Sequence, residues 1–234
     1  MPQEPFHQAP FNPFAITAAE QFARNPEKRC PCALVLDVSG SMAGEPLNEL
    51  QAGLQAFRTS LQGHAQARQR VEPAIVTFGG SVQVVHPFME ADLFSPPELQ
   101  ASGDTPMGQA LLRTLDLIEE RKAAYRQHGV PYYRPWIFLI TDGAPTDKNT
   151  AAWTEAVQRV RNGTAQKHFV LFAIGVKGAD MGLLRQLSDS PKELHGLAFI
   201  ELFQWLSNSL GAVTQAPPGQ TITLAPTNWE IVDT

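Results

Sequence analysis

Short apolar runs alternate along this chain with longer segments in which apolar residues recur at steps of three and four. The first run, 33–38 (ALVLDV), is continuously apolar until it meets an aspartate, the mark of a strand buried on both faces. A Ser/Gly loop follows, then a helical stripe of Leu47, Leu50, Leu54, Phe57 and Leu61, with Pro46 near its start, where a missing N–H does no harm. Residues 74–78 (AIVTF) and 82–85 (VQVV) flank Gly79-Gly80-Ser81, a hairpin signal that places one antiparallel strand at a sheet edge. Beyond a Pro-rich loop (SPPELQASGDTP), Met107, Leu111, Leu115 and Ile118 mark a second helix, with Thr105 expected as its N-cap and Pro106 as its first residue. Residues 136–140 (WIFLI) form another buried strand, again ending near an aspartate, Asp142. Trp153, Val157 and Val160 give a third helix, and 169–174 (FVLFAI) a further strand. A helical segment at Met181–Leu187 and another with Phe203, Leu206, Leu210 and Val213 in phase complete the pattern. Buried strands alternating with amphipathic helices predict an α/β fold: a doubly wound, mostly parallel sheet with one antiparallel edge strand and helices on both faces.

The ends fall outside this alternation. Residues 1–29 are rich in Pro and Phe without a steady period and are read as an N-terminal arm; 30–216 form the domain, and 217–234 a C-terminal tail without Lys or Arg. Within the tail, 221–224 (TITL) has the composition of an added edge strand, while Glu230 and Asp233 are acids able to mimic a ligand in a neighbouring molecule. Trp136, Trp153, Phe203 and Trp205 fall in apolar patterns and are read as core, with exposure the alternative for Trp205, which lies out of phase with its helix. The run Glu119-Glu120-Arg121-Lys122 with Arg126 reads as a solvated helix face.

Composition narrows the classes. The 234 residues, 43% hydrophobic and 18% charged, suit one globular domain with extensions, and no apolar run is long enough to span a bilayer. A net charge of −5 argues against a nucleic-acid partner, which requires a basic field. The opening residues (MPQEPFHQAPFNPF) carry an acid where a secretory leader needs positive charge, so a cytoplasmic location is expected. Cys30 and Cys32, separated by one proline, are badly placed for an unstrained disulfide and are read as reduced thiols; half of a metal site shared with another chain is the alternative. The six histidines are scattered.

The candidate chemistry sits where strands end, the crevice that binds ligands in open α/β sheets. Three loops offer hard oxygen donors: Asp37-Val38-Ser39-Gly40-Ser41, Gly103-Asp104-Thr105-Pro106 and Thr141-Asp142-Gly143. In an extended segment every second side chain points the same way, so D-x-S-x-S converges three oxygens, and Gly40 lets the backbone turn away. Hydroxyls plus two aspartates suit Mg²⁺ and suit zinc badly, because Cys and His are missing. Taken singly, Ser39, Ser41, Thr105 and Asp142 also suit turns and caps; it is their order and strand context that points to a metal. Asp147 is expected to cap the helix after Pro145-Thr146, Asp104 to brace the loop before Thr105, and Glu45 to serve as a first-turn acid.

The DVSGS segment (37–41), Thr105 in GDTPMG and Asp142 in LITDG resemble the metal-ion-dependent adhesion site of von Willebrand factor type A domains, a likeness covering roughly residues 30–213. The wording RCPCALVLDVSGSM, GDTPMG, YYRPWIFLITDGAPTD and FAIGVKGADM resembles the bacterial YegL and TerY-like group, the latter associated with tellurium resistance. This resemblance implies a Rossmann-like sheet with Mg²⁺ (or Mn²⁺ or Ca²⁺) on its rim, held directly by Ser39, Ser41 and Thr105 and through water by Asp37 and Asp142. It further implies a non-catalytic interaction module. A Glu or Asp carboxylate of a protein partner would take the open coordination position, with Gly40, Met42, Asp104 and Gly143 as contact residues and kinase- or phosphatase-type signalling proteins as candidate partners. The rival is a magnesium phosphohydrolase of haloacid-dehalogenase type. It also places an Asp after the first strand but needs a second acid two residues on, where Ser39 stands.

Overall fold

The computed structural model describes residues 22–216 and 222–230. Six strands form one sheet in the order β3-β2-β1-β4-β5-β6: β1 (Cys30–Asp37), β2 (Val71–Gly79), β3 (Ser81–His86), β4 (Trp136–Thr141), β5 (Val170–Gly175) and β6 (Lys192–Glu193). All neighbours are parallel except β2 and β3, which pair antiparallel through a turn in which Gly80 has φ +66°. The antiparallel edge strand expected from the Gly-Gly-Ser signal is present.

Every residue of the central strand β1 is buried, because both its faces are covered. Cys30, Cys32, Leu34 and Leu36 face one core layer, whereas Ala33 and Val35 face the other. Helices α1 (Glu45–Gly63), α2 (Ala65–Arg70) and α6 (Phe199–Gln215) cover the first face, with α1 against α6. That contact needs Gly53: a Cβ there would come within 2.7 Å of the Phe203 ring. Helices α3 (Met107–Gln127), α4 (Ala151–Ala165) and α5 (Met181–Leu187) cover the second face. No helix among the described residues is long and apolar enough to cross a membrane.

Packing settles the alternative left for Trp205 and elsewhere departs from the expected ends. Trp205 is buried, not exposed: its indole N–H donates to the Ala225 carbonyl (2.8 Å), and Trp229 packs edge-on against it with ring centroids 5.6 Å apart. The tail segment is thus part of the core, and Trp229 is fully buried. The expected edge strand at 221–224 is not formed by its described residues 222–224. Among the described residues the tail instead meets the sheet edge at a bridge between Leu194 and Glu230. Glu230 pairs with Lys192 (2.8 Å), which commits it within its own chain; Asp233 lies outside the described residues. At the other terminus, Phe22 and Arg29 are buried, while the rest of the arm, 1–21, is outside the described residues.

The Glu119–Lys122 run is only partly a solvated face. Arg121 turns inward and makes 2.7 Å contacts to Glu72, a fully buried carboxylate that also meets Arg29 (3.4 Å) and accepts the Tyr125 hydroxyl. Lys122 is buried along its stem and reaches Glu119 (2.6 Å). Opposite charges here compensate one another at the end of the sheet remote from the three oxygen-bearing loops.

Candidate metal centre

Three loops converge beyond the carboxyl ends of β1 and β4, and close backbone approach brings them together. The Gly40 amide donates to the Gly103 carbonyl (3.0 Å), Ser102 to Val38 (2.8 Å) and Gly80 to Asp104 (2.8 Å). Two glycines make this spacing possible. A Cβ on Gly79 would stand 2.4 Å from the Val38 oxygen, and Gly103, at φ +69°, would put one 2.4 Å from Gly80 Cα.

The donor oxygens follow from this framework. Asp37 is fully buried at the end of β1, with Oδ1 accepting the Ser39 amide (2.8 Å) and Oδ2 accepting the Thr141 hydroxyl. Ser39 Oγ stands 3.1 Å from Ser41 Oγ, which in turn donates to Asp142 Oδ1 (2.8 Å). Thr105 is buried at 6% exposure, and its Oγ1 lies 3.7 Å from the position a Cβ on Gly143 would take. The sequence-selected oxygens therefore meet at one rim. Ser39, Ser41 and Asp142 form a chain of contacts, Asp37 lies beneath them, and Thr105 comes from the facing loop. Burial pushes the Asp37 carboxyl above its usual range, and the nearby Asp142 charge adds to this; hydrogen bonds from Ser39 and Thr141 pull the other way.

The donor set tests well against a hard cation. An octahedral ion with bonds of about 2.0–2.1 Å sets neighbouring ligand oxygens about 2.9 Å apart, and the two serine hydroxyl oxygens, Ser39 and Ser41, stand 3.1 Å apart. Among the described residues no group of three or more His, Cys, Asp or Glu is placed to hold a metal, so hydroxyls are indispensable to this site. Cys30 and Cys32 are both free and fully buried within β1; burial pushes the Cys30 thiol up to about 12 and raises Cys32 as well.

Several supporting roles differ from expectation. Thr105 does not cap α3: Pro106 occupies the N-cap position, and the capping acceptor is Asp147 from the loop after β4. Its Oδ1 accepts the Gly108 amide (3.1 Å) and its Oδ2 the Gln109 amide (3.0 Å). Asp147 therefore serves α3 and not the helix that follows it; α4 is capped by Thr150, whose Oγ1 accepts the Trp153 amide. The same loop fixes Thr105, since Thr146 N–H donates to the Thr105 carbonyl (2.9 Å) and Thr105 N–H to Thr146 Oγ1 (3.2 Å). Asp104 does brace this junction, accepting from Thr146 Oγ1 (3.3 Å). Gly40, Asp104 and Gly143 keep exposed or half-buried positions at the rim, and Glu45 stands in the first turn of α1. Met42 corrects the expected contact surface: it is fully buried in the core and presents nothing to a partner.

Two supporting residues escaped sequence reasoning, Thr141 and Asp147 in its role on α3. The β1–β4 register, Leu36 beside Ile140, carries Asp37 next to Thr141. Only the T-D-G wording hinted at Thr141, and nothing in the sequence linked Asp147 to residues 108–109.

A sequence-family model, the von Willebrand factor type A domain, matches residues 33–202. The chain belongs to this family. Its fold is similar to solved structures that share little sequence with it. The pilus adhesin SpaC from Lactobacillus rhamnosus GG, in its open conformation, matches with a TM-score of 0.63 at 15% identity, over 81% of this chain and 31% of that one. The vWF domain of the type V pili tip protein Mfa5 from Porphyromonas gingivalis gives 0.56 at 11%, over 83% and 99%. The ArnB paralog VWA2 from Sulfolobus acidocaldarius gives 0.52 at 16%, over 79% and 45%. The chain spans 49% of the mussel byssus protein PTMP1 and 32% of SpaC in a further crystal form. No curated protein sequence matches it. Domains of this family are commonly metal-dependent interaction modules and not enzymes.

Proposed function

We propose that this rim holds one divalent cation through Ser39, Ser41 and Thr105, with Asp37 and Asp142 acting through water, and that the cation grips a Glu or Asp carboxylate of a partner protein. The observation that carries the reading is the continuous set of oxygens from Ser39 through Ser41 to Asp142 at 3.1 and 2.8 Å. Family membership supports it. The all-oxygen donor set suits a hard cation, Mg²⁺, Mn²⁺ or Ca²⁺. When bound, the ion supplies positive charge that hydroxyls leave largely unneutralised, so an incoming carboxylate is strongly attracted. This chain's residues do the rest. Thr141 and the Ser39 amide hold Asp37 in place, and the Asp147 loop fixes Thr105.

The proposal is for a non-catalytic role. No observation favours the phosphohydrolase reading, which still meets Ser39 where the acid should be. The motif wording supports a place in the YegL and TerY-like group and, with it, kinase- or phosphatase-type signalling partners. A cytoplasmic setting belongs to the same proposal. The test is capture of partners from lysate by the whole chain with Mg²⁺, with chelator, and with Thr105→Ala. Partners lost in the last two conditions support the metal bridge; the same partners in all three overturn it.

A further inference from the structure

Positive charge around the rim is segregated. On the side built by the loops beyond β1 and β2 (residues 38–45, 79–81 and 95–106) there is no Lys or Arg, and Glu45, Glu98 and Asp104 are all exposed. None of these three forms an ion pair among the described residues. The loops beyond β4 and β5 (142–150 and 176–180) present the opposite face. Their acids keep their charge but are hydrogen-bonded to neutral donors of the chain: Asp142 to Ser41, Asp147 to the α3 amides, and Asp180 to the Leu183 amide (3.0 Å) as the cap of α5; what sets this face apart is that it carries cations. Lys148 and Lys177 in the same loops are exposed and form no ion pair among the described residues.

Lys177 is held close to the oxygen cluster by backbone geometry. The Val176 amide donates to the Thr141 carbonyl (2.7 Å), extending the β4–β5 pairing one step past the strands. Gly178, at φ +105°, packs so near that a Cβ there would lie 3.4 Å from the Asp142 carbonyl oxygen. Lys177 is therefore flanked by residues tied to Thr141 and to Asp142, with its charged end in solvent. Lys148 follows Asp147 in the loop after β4.

From this asymmetry we infer that the partner's docking segment is charge-polarised: one carboxylate reaches the cation and a second acid lies toward Lys177. The side toward Asp104 and Glu45 accepts neutral or basic residues. This rests on the metal-bridge reading above and adds its orientation: a single carboxylate on an ion fixes position but not direction, and flanking charges select one docking direction over its reverse. The contribution of the second acid is that of an exposed pair, a gain of about 1.5- to fivefold in affinity at low salt, declining as salt screens it.

The test uses the whole chain with Mg²⁺ and two synthetic blocked peptides, Gly-Gly-Glu-Gly-Gly and Gly-Glu-Gly-Glu-Gly, with binding followed by NMR titration. The two-acid peptide is expected to bind about 2.5- to sixfold more tightly than the one-acid peptide, of which about twofold is statistical because either Glu can reach the cation. Lys177→Glu should lower that ratio to about twofold or less, whereas Lys167→Glu, an exposed charge near the opposite end of β5, should leave it intact. Chelator-sensitive binding of both peptides with the same ratio in wild type and Lys177→Glu overturns this inference alone. Binding of neither peptide, or binding indifferent to chelator, overturns the metal bridge and this inference with it.

Discussion

Asp147 is one residue on which both the fold and the site depend. It carries two acceptor oxygens to the first free amides of α3, Gly108 at 3.1 Å and Gln109 at 3.0 Å, and is itself only 6% exposed. Asp147→Ala removes a helix cap worth about 1 kcal/mol and a favourable charge at the helix's positive end worth about 0.3–1 kcal/mol, or more where partly buried. Little water reaches the amides to replace the lost acceptors, so the total should be about 2–3 kcal/mol. With a urea slope of about 2 kcal/mol per molar, the unfolding midpoint should fall by about 1–1.5 M. Asp147→Asn keeps one carbonyl acceptor and should lose about half as much. Mg²⁺ binding by calorimetry should weaken in Asp147→Ala although Asp147 is not in the ligand set, because Thr105 is positioned by the same loop. Asp142→Ala should do the reverse: nearly unchanged stability and lost metal binding. A midpoint shift for Asp147→Ala below about 0.25 M, equivalent to about 0.5 kcal/mol, would refute the reasoning.

Three further outcomes follow from buried groups. Burial holds the Asp37 carboxyl above its ordinary value of 3.8, so the folded chain takes up a proton that the unfolded chain has already released. The contribution of Asp37 to metal-free stability should therefore decline as pH rises from below 3.8 through the raised value, and excess Mg²⁺ should offset the decline by favouring the charged carboxylate. A stability difference between wild type and Asp37→Asn that stays flat across that window, read by denaturant titration with and without Mg²⁺, would contradict it. Glu72→Gln strips the shared counter-charge from Arg29 and Arg121 and should cost about 3–5 kcal/mol, measured by thermal unfolding. Cys30, with its thiol pushed up to about 12, and Cys32 should stay inert to thiol reagents in the native chain and both react once it is unfolded, as a spectrophotometric thiol count would show.

Local periodicity made most of the fold legible. The period-two split of β1, with Leu34 and Leu36 on one face and Val35 on the other, needs only the apolar run to be read. The Gly-Gly-Ser turn likewise announced the antiparallel edge. The metal residues were legible because an alternating D-x-S-x-S segment encodes convergence within five positions. What escaped was long-range pairing of polar groups. Asp147 looked like a cap for its own helix, and only the packing of the β4 loop against α3 shows otherwise. Arg121 sat in a run of charges and read as solvated, yet Glu72, 49 residues earlier, draws it inward. Trp205 broke its helix's apolar phase because its partner, Trp229, comes from beyond that helix. In each case the partner is distant in sequence, and no repeat links the two.

The burial of Trp229 also has a consequence for a chain cut short. Until the segment after α6 folds back, the Trp205 indole and the aromatic cluster beneath it, Phe138 and Phe172, lack their cover. A chain stopped before Trp229 would keep that aromatic surface open, the kind of surface that holdase chaperones capture.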